Sequence, residues 1–186
     1  PVTGPTPTPV IAALRLGRGI VVDPPVVLAP MAGVTNSAFR QLCRRYGAGL
    51  YVSEMVNARG LIEGGDKSWQ LAAFAPGESP RSLQLYGTDP AVVGEAVRRL
   101  VEEDHVDHLD LNFGCPAPKV TRHGGGAALP ARPRLLASVV DAAVSAAGEV
   151  PVTVKMRIGL DDERVTFVDA GRSAVDAGAA AVALHA

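Results

Sequence analysis

The chain has 186 residues, a formal charge of −1 and 47% hydrophobic residues. That is enough apolar material to bury a core and too much for a disordered chain. No apolar run reaches the roughly 18 residues of a membrane span, and the start lacks the charged-then-apolar order of a secretory signal. Two cysteines exclude a disulfide framework and make a reducing cytoplasm the expected compartment. With 18 basic and 19 acidic residues, any nucleic-acid contact has to come from a local patch.

Residues 1–9 are rich in Pro and Thr, and residues 1–13 read as a disordered tail ahead of one folded unit over 14–186. Leu14-Arg15-Leu16 and Ile20-Val21-Val22, flanking Gly17-Arg18-Gly19, predict a small hairpin. A strand follows over 26–30, then a helix with Phe39, Leu42, Cys43 and Tyr46 on an apolar face, capped by Asn36 and ended by Gly47. Next come a strand over 50–55, a poorly periodic helical stretch and a strand over 82–86. Asp89-Pro90 opens a helix with Val93, Val97, Leu100 and Val101 on one face. A strand over 108–112 leads into a long Gly-rich loop up to Pro130. The pattern closes with a helix over 133–147, a strand over 152–157, a helix over 165–177 and a strand over 181–185.

Strands alternating with helices imply parallel pairing through right-handed crossovers. Near-continuous apolar strands agree with a sheet buried on both faces. The two outcomes are a doubly wound open sheet and a TIM (β/α)₈ barrel. The barrel is preferred because Pro30-Met31-Ala32, Glu54, Gln84, Asn112, Lys155 and His185 stand at the C-terminal ends of successive strands, which a barrel gathers at one mouth. Six strands where a barrel needs eight, no initiator Met and an end directly after a strand read as an N-terminal fragment of about six β/α units.

Cys115, between Gly114 and Pro116 just past a strand end, sits on a turn facing the mouth, where a thiol serves as nucleophile or proton donor. The alternative is a buried structural thiol, which is the reading for Cys43 on its apolar helix face. Gly124-Gly125-Gly126 lacks the spacing of a Rossmann or Walker loop, leaving a phosphate cradle or a flexible hinge for the Cys loop. Alternation puts Thr153, Lys155 and Arg157 on one strand face. Lys155 there needs either an anionic ligand or a structural carboxylate such as Asp110. Gln84 and Asn112 offer donors and acceptors suited to the imide edge of a flavin or a uracil. Of four histidines, His185 has the best position, at a strand end, whereas His108 lies deeper in its strand and His105 ends a helix. No metal-ligand spacing is present in the sequence, so no metal is expected.

The run Leu28-Ala29-Pro30-Met31-Ala32-Gly33-Val34-Thr35-Asn36 resembles the opening signature of the tRNA-dihydrouridine synthases. Ser82 through Gly87, Asp110 through Lys119 with the Gly-rich continuation, and residues 152–159 resemble later blocks of that family in the same order, and the details look like its general bacterial branch. The resemblance runs from about Leu14 to the last residue. The Asn-x-Gly-Cys-Pro block followed by a Lys-x-Arg strand is its specific part, because the Ala-Pro-Met opening also occurs in other flavin barrels.

The resemblance implies an FMN-dependent oxidoreductase of the cytoplasm, recharged by NADPH, that reduces the C5–C6 double bond of uridine in tRNA. It implies a barrel followed by a helical RNA-binding domain, and a monomer. Pro30, Met31 and Ala32 would line the flavin; Gln84 and Lys155 would contact its ring; Asn112 would lie between flavin and uracil; His185 would reach the flavin; and Cys115 would be the general acid. Lys119, Arg122 and His123 would contact tRNA, with Arg132 and Arg134 completing a basic patch. Where relatives often carry Lys, this chain has His123. The last two barrel strands, which supply the FMN phosphate site, and the helical domain would lie outside this fragment. Competing readings are an FMN-dependent dehydrogenase of a free pyrimidine and a flavin-free RNA-binding module.

Overall fold

The computed structural model describes residues 11–17, 19–161 and 163–186. Most of the expected tail lies outside the described residues, and residues 11–13 carry no regular structure. The hairpin forms from Leu14–Gly17 (β1) and Ile20–Val22 (β2). Six further strands follow: Val27–Leu28 (β3), Leu50–Asn57 (β4), Ser82–Tyr86 (β5), His108–Phe113 (β6), Val152–Arg157 (β7) and Ala181–His185 (β8). They make one sheet in which every strand runs parallel to its neighbours and the spatial order is the chain order. A doubly wound sheet reverses its order at a switch point, and this one never does. The arrangement is that of a partial TIM barrel.

The helices are Ser37–Arg44 (α1), Ala58–Ile62 (α2), Asp66–Ala72 (α3), Pro90–Glu102 (α4), Pro118–Thr121 (α5), Pro133–Ala147 (α6) and Phe167–Asp176 (α7). Asn36 and Asp89 cap α1 and α4 as their positions predict, accepting from Phe39 N and from Ala91 N respectively, each at 3.0 Å. Several boundaries differ from those expected from the sequence. The strand expected over 26–30 shortens to β3, that over 50–55 extends to Asn57, and the last helix starts at Phe167. The Gly-rich stretch is not a plain loop: it contains α5 and a 3₁₀ helix, Gly126–Ala131. No helix among the described residues is long and apolar enough to cross a membrane.

The two faces of the sheet are chemically different. Leu83, Leu85, Leu109, Leu111, Phe113, Val154 and Met156 point outward and bury against Val93, Val97 and Leu100 of α4 and Leu136, Val139 and Val140 of α6. Each such side chain contributes about 1.5–3 kcal/mol through burial. The inward face carries Ser82, Gln84, His108, Asp110 and Thr153, all buried. The strands therefore alternate rather than running apolar on both faces, because the polar interior satisfies its own hydrogen bonds. At the N-terminal ends of the strands the hairpin packs on the sheet. Leu16 and Val22 pack on Leu50 and Val52 of β4 with Ala181 of β8 against them, which brings distant strands of the curled sheet together.

Helix α1 departs from the apolar face read in its sequence. Leu42 and Tyr46 are exposed (47% and 84%), and the residue it buries is Arg40. The reason is a carboxylate: Glu78 receives Arg40 Nε at 2.5 Å and Nη2 at 3.1 Å. The same guanidinium donates to the carbonyls of Thr35 and Ala73 and lies over the Phe74 ring. A buried charge is tolerated only when paired and hydrogen-bonded in this way. Removing one partner alone, as in Glu78→Ala, is expected to cost about 3–5 kcal/mol. Urea unfolding of the full-length protein reads this loss, and a midpoint within error of wild type contradicts the arrangement.

Candidate active site

At the C-terminal end of the sheet a cavity of about 200 Å³ is lined by Pro30, Ala32, Gln84, Asn112, Cys115, Lys155 and His185. All but one of the cofactor-site residues read from the sequence, with Cys115, meet there. Met31 does not: its side chain is 40% exposed and outside the cavity. Met55 and Arg157 also line it, and the sequence reading did not single them out. For Arg157 the signal was present, since alternation had put it on the face of Lys155. Met55 gave none, because the register of β4 shifts between Val52 and Met55.

A continuous chain of hydrogen bonds runs under this cavity. Ser82 Oγ meets His108 Nδ1 at 2.7 Å, and His108 Nε2 meets Thr153 Oγ1 at 3.0 Å. Thr153 Oγ1 donates to Asp110 Oδ1 (2.6 Å), and Gln84 Nε2 donates to Asp110 Oδ2 (2.7 Å). Asn112 Nδ2 donates to Gln84 Oε1 (2.8 Å), while Asn112 Oδ1 accepts the backbone N–H groups of Gly114 (3.2 Å) and Cys115 (2.9 Å). Because Asp110 accepts on both oxygens, the Gln84 amide must present its oxygen to Asn112. Asn112 must in turn present its own oxygen to the Cys115 turn. One buried carboxylate thus orients two amides and the loop beyond them.

The Cys115 backbone is held from the other side as well. Ala127 N donates to Cys115 O at 2.9 Å, and an added Cβ at Gly126, where φ is +54°, would stand 2.3 Å from that carbonyl oxygen. Gly124, Gly125 and Gly126 are buried, and the first two amides are used by Thr121 O and Val120 O. The glycines therefore offer no cradle of three free amides for a phosphate. They allow the loop to fold tightly back on Cys115. The thiol itself is half-buried and has no hydrogen-bond partner among the described residues.

The Ala-Pro-Met-Ala loop on the opposite side is also fixed. Glu54 Oε2 accepts from Gly33 N, Thr35 Oγ1 accepts from Met31 N at 3.0 Å, and Arg40 holds the Thr35 carbonyl at 2.8 Å.

The cations in the cavity are uncommitted. Lys155 forms no ion pair among the described residues; Asp110 is occupied by Thr153 and Gln84, and Lys155 reaches it only as a nearby charge. Arg157 Nε is buried with no acceptor. An unpartnered ammonium and an orphaned guanidinium N–H beside Pro30, Ala32 and Met55 fit a flat ligand with electron-rich edge atoms, the chemistry of a flavin or uracil ring. Gln84 is fully buried at the cavity floor, and His185 is exposed at its rim. Among the described residues no three or more His, Cys, Asp or Glu side chains are grouped to hold a metal ion.

The residues read as RNA contacts separate. Lys119 and His123 face a second cavity beside the first, and Arg122 is exposed outside both. Arg132 packs near Gly124, and Arg134 faces α7 in a groove with Asp141.

Burial pushes His108 down to about 4 and raises Asp110, which Thr153, Gln84 and the Lys155 charge pull back down. The unfolded chain protonates His108 near its ordinary 6.5, whereas the folded chain does so only near 4. This contribution to stability is therefore complete above about 6.5 and is lost as the pH falls toward 4. Asp110 acts with the opposite sign and is the same in both proteins compared. Thermal midpoints of wild type and His108→Gln across this range are expected to converge as the pH falls. Parallel curves contradict a neutral buried His108.

Similarity to known proteins agrees with this geometry. The family described as dihydrouridine synthase (Dus) matches residues 27–186. A probable tRNA-dihydrouridine synthase of Mycobacterium tuberculosis is 55% identical over 183 residues, covering 94% of this chain and 47% of that protein. The corresponding protein of Mycobacterium leprae is 51% identical, covering 86% of this chain and 49% of the relative. The tRNA-dihydrouridine synthase B of Pseudomonas aeruginosa is 45% identical, covering 86% and 48%. The chain spans about half the length of these curated relatives.

Proposed function

Because this chain belongs to the dihydrouridine synthase family, we propose that the full-length protein uses FMN and NADPH to reduce the C5–C6 double bond of uridine in tRNA. Residues 14–186 are then part of its catalytic barrel, acting in the cytoplasm. The observation that carries the reading is the convergence of Cys115, Lys155, Asn112 and the Pro30–Ala32 loop on one cavity, with the Cys115 backbone pinned and its thiol unpartnered.

Bound reduced flavin would supply a hydride to C6 of the uracil. The residues of this chain do the rest. Pro30 and Ala32 offer a rigid wall for the flavin ring, Lys155 a positive charge for its electron-rich edge, and His185 a contact at the rim. Gln84 contributes from the floor. Asn112 keeps one amide N–H free for a uracil carbonyl, since its other N–H and its oxygen are engaged. Arg157, whose Nε lacks an acceptor, would offset the charge that grows at O4 as C6 accepts hydride. Cys115 then transfers its proton from Sγ to C5, and the thiolate is reprotonated from solvent. The target uridine has to leave its stack to reach the cavity, so the enzyme binds tRNA with that base extruded. Lys119, Arg122 and His123 provide phosphate contacts close to the cysteine loop.

A free pyrimidine as substrate would leave this basic loop without a role. In Cys115→Ala of the full-length protein, flavin absorbance is expected to be retained while dihydrouridine formation slows roughly 100-fold or more. A wild-type rate in that variant assigns the acid elsewhere.

A further inference from the structure

The second cavity carries an inference of its own. It has a volume of about 320 Å³ and is built from three consecutive loops at the same end of the sheet. Arg59 comes from the start of α2, Tyr86, Thr88 and Asp89 from the end of β5 and the turn after it, and Lys119 and His123 from the loop after Cys115. Its size is at the small end of ligand sites, suited to a single nucleotide.

Its one carboxylate is already committed. Asp89 Oδ1 caps α4 through Ala91 N and Val92 N, and Oδ2 pairs with Arg59 at 3.4 Å. The Lys119 ammonium, the His123 ring and the Tyr86 and Thr88 hydroxyls have no hydrogen-bond partner among the described residues. An aromatic ring beside an uncommitted cation and two hydroxyls is a set that takes a base and a phosphate together.

We propose that this cavity receives a nucleotide flanking the extruded uridine, with its base against Tyr86 and its phosphate on Lys119. The assignment rests on the tRNA reading above. Extruding one base strips a neighbour of its stacking partner, and a ring in the adjoining cavity replaces that partner. The segment from Cys115 to Gly125 lines both cavities, so one strand can occupy them with consecutive nucleotides. A phosphorylated nucleotide could also come from NADPH, and the test separates the two sources.

The test uses the full-length protein and measures the Kd for tRNA by filter retention at several salt concentrations, alongside the rate of flavin reduction by NADPH. Lys119→Ala is expected to weaken tRNA binding about tenfold and to make the salt dependence shallower by about one unit of slope. Tyr86→Ala is expected to weaken it similarly with the slope unchanged, and Tyr86→Phe to bind like wild type because the ring is kept. Flavin reduction by NADPH stays at the wild-type rate in Tyr86→Ala and Tyr86→Phe. Unchanged tRNA affinity in both Lys119→Ala and Tyr86→Ala overturns the proposal. So does slower reduction by NADPH with tRNA binding intact, which would give the cavity to the dinucleotide. A wild-type protein that binds tRNA but forms no dihydrouridine counts against the proposed reaction and leaves this binding comparison readable. Lys119 is exposed, so its variant remains informative if Tyr86→Ala does not fold.

Discussion

Asp110 lies at the centre of the interior, a carboxylate removed from water whose two oxygens are both occupied by donors from neighbouring strands. A hydrogen bond to a charged group contributes about 1.5–3 kcal/mol net, which taking the carboxylate out of water offsets at a cost of several kcal/mol. The value of this chain is therefore orientation rather than stability. Once Asp110 accepts from Gln84, neither the Gln84 nor the Asn112 amide can reverse without setting donor against donor. The acceptor that holds the Cys115 turn is fixed by a carboxylate buried in β6, and stability comes from the apolar outward face.

The same economy appears at the opposite wall. Arg40 and Glu78 form a buried pair remote from the cavity, yet through the Thr35 carbonyl they fix the loop that carries Pro30 and Ala32. Thr35 and Glu54 complete that loop from within the barrel. Two walls, each held by its own buried acid, face one another across a space into which Lys155 and Arg157 project without partners. The proposed ligand site rests on that contrast between satisfied walls and unsatisfied occupants.

Much of this was legible in the sequence because it follows from period and position. The β/α alternation gave the parallel order, and strand ends gave Pro30, Gln84, Asn112, Lys155 and His185. What was not legible depended on partners distant in sequence. Arg40 sits in a helix whose apolar residues suggested a different buried face, and its carboxylate lies 38 residues later. Alternation placed Thr153, Lys155 and Arg157 on one face of their strand, but only the register of the sheet sets Gln84 and Asp110 side by side. Gly126 could not be told from a hinge glycine until its neighbour was seen to be the carbonyl of Cys115. The turns of α5 are too short to show a helical period.

The most direct measurement is amide hydrogen exchange at Gly114 and Cys115 in the full-length protein, comparing wild type with Gln84→Met, which keeps the bulk of the side chain and removes both of its amide contacts. If the interior chain orients the cysteine turn, these two amides lose protection in the variant while those of the outward-packed strand residues Leu109 and Leu111 keep theirs. Equal protection of Gly114 and Cys115 in both proteins would mean that the turn holds itself and that Asp110 has no hold on it.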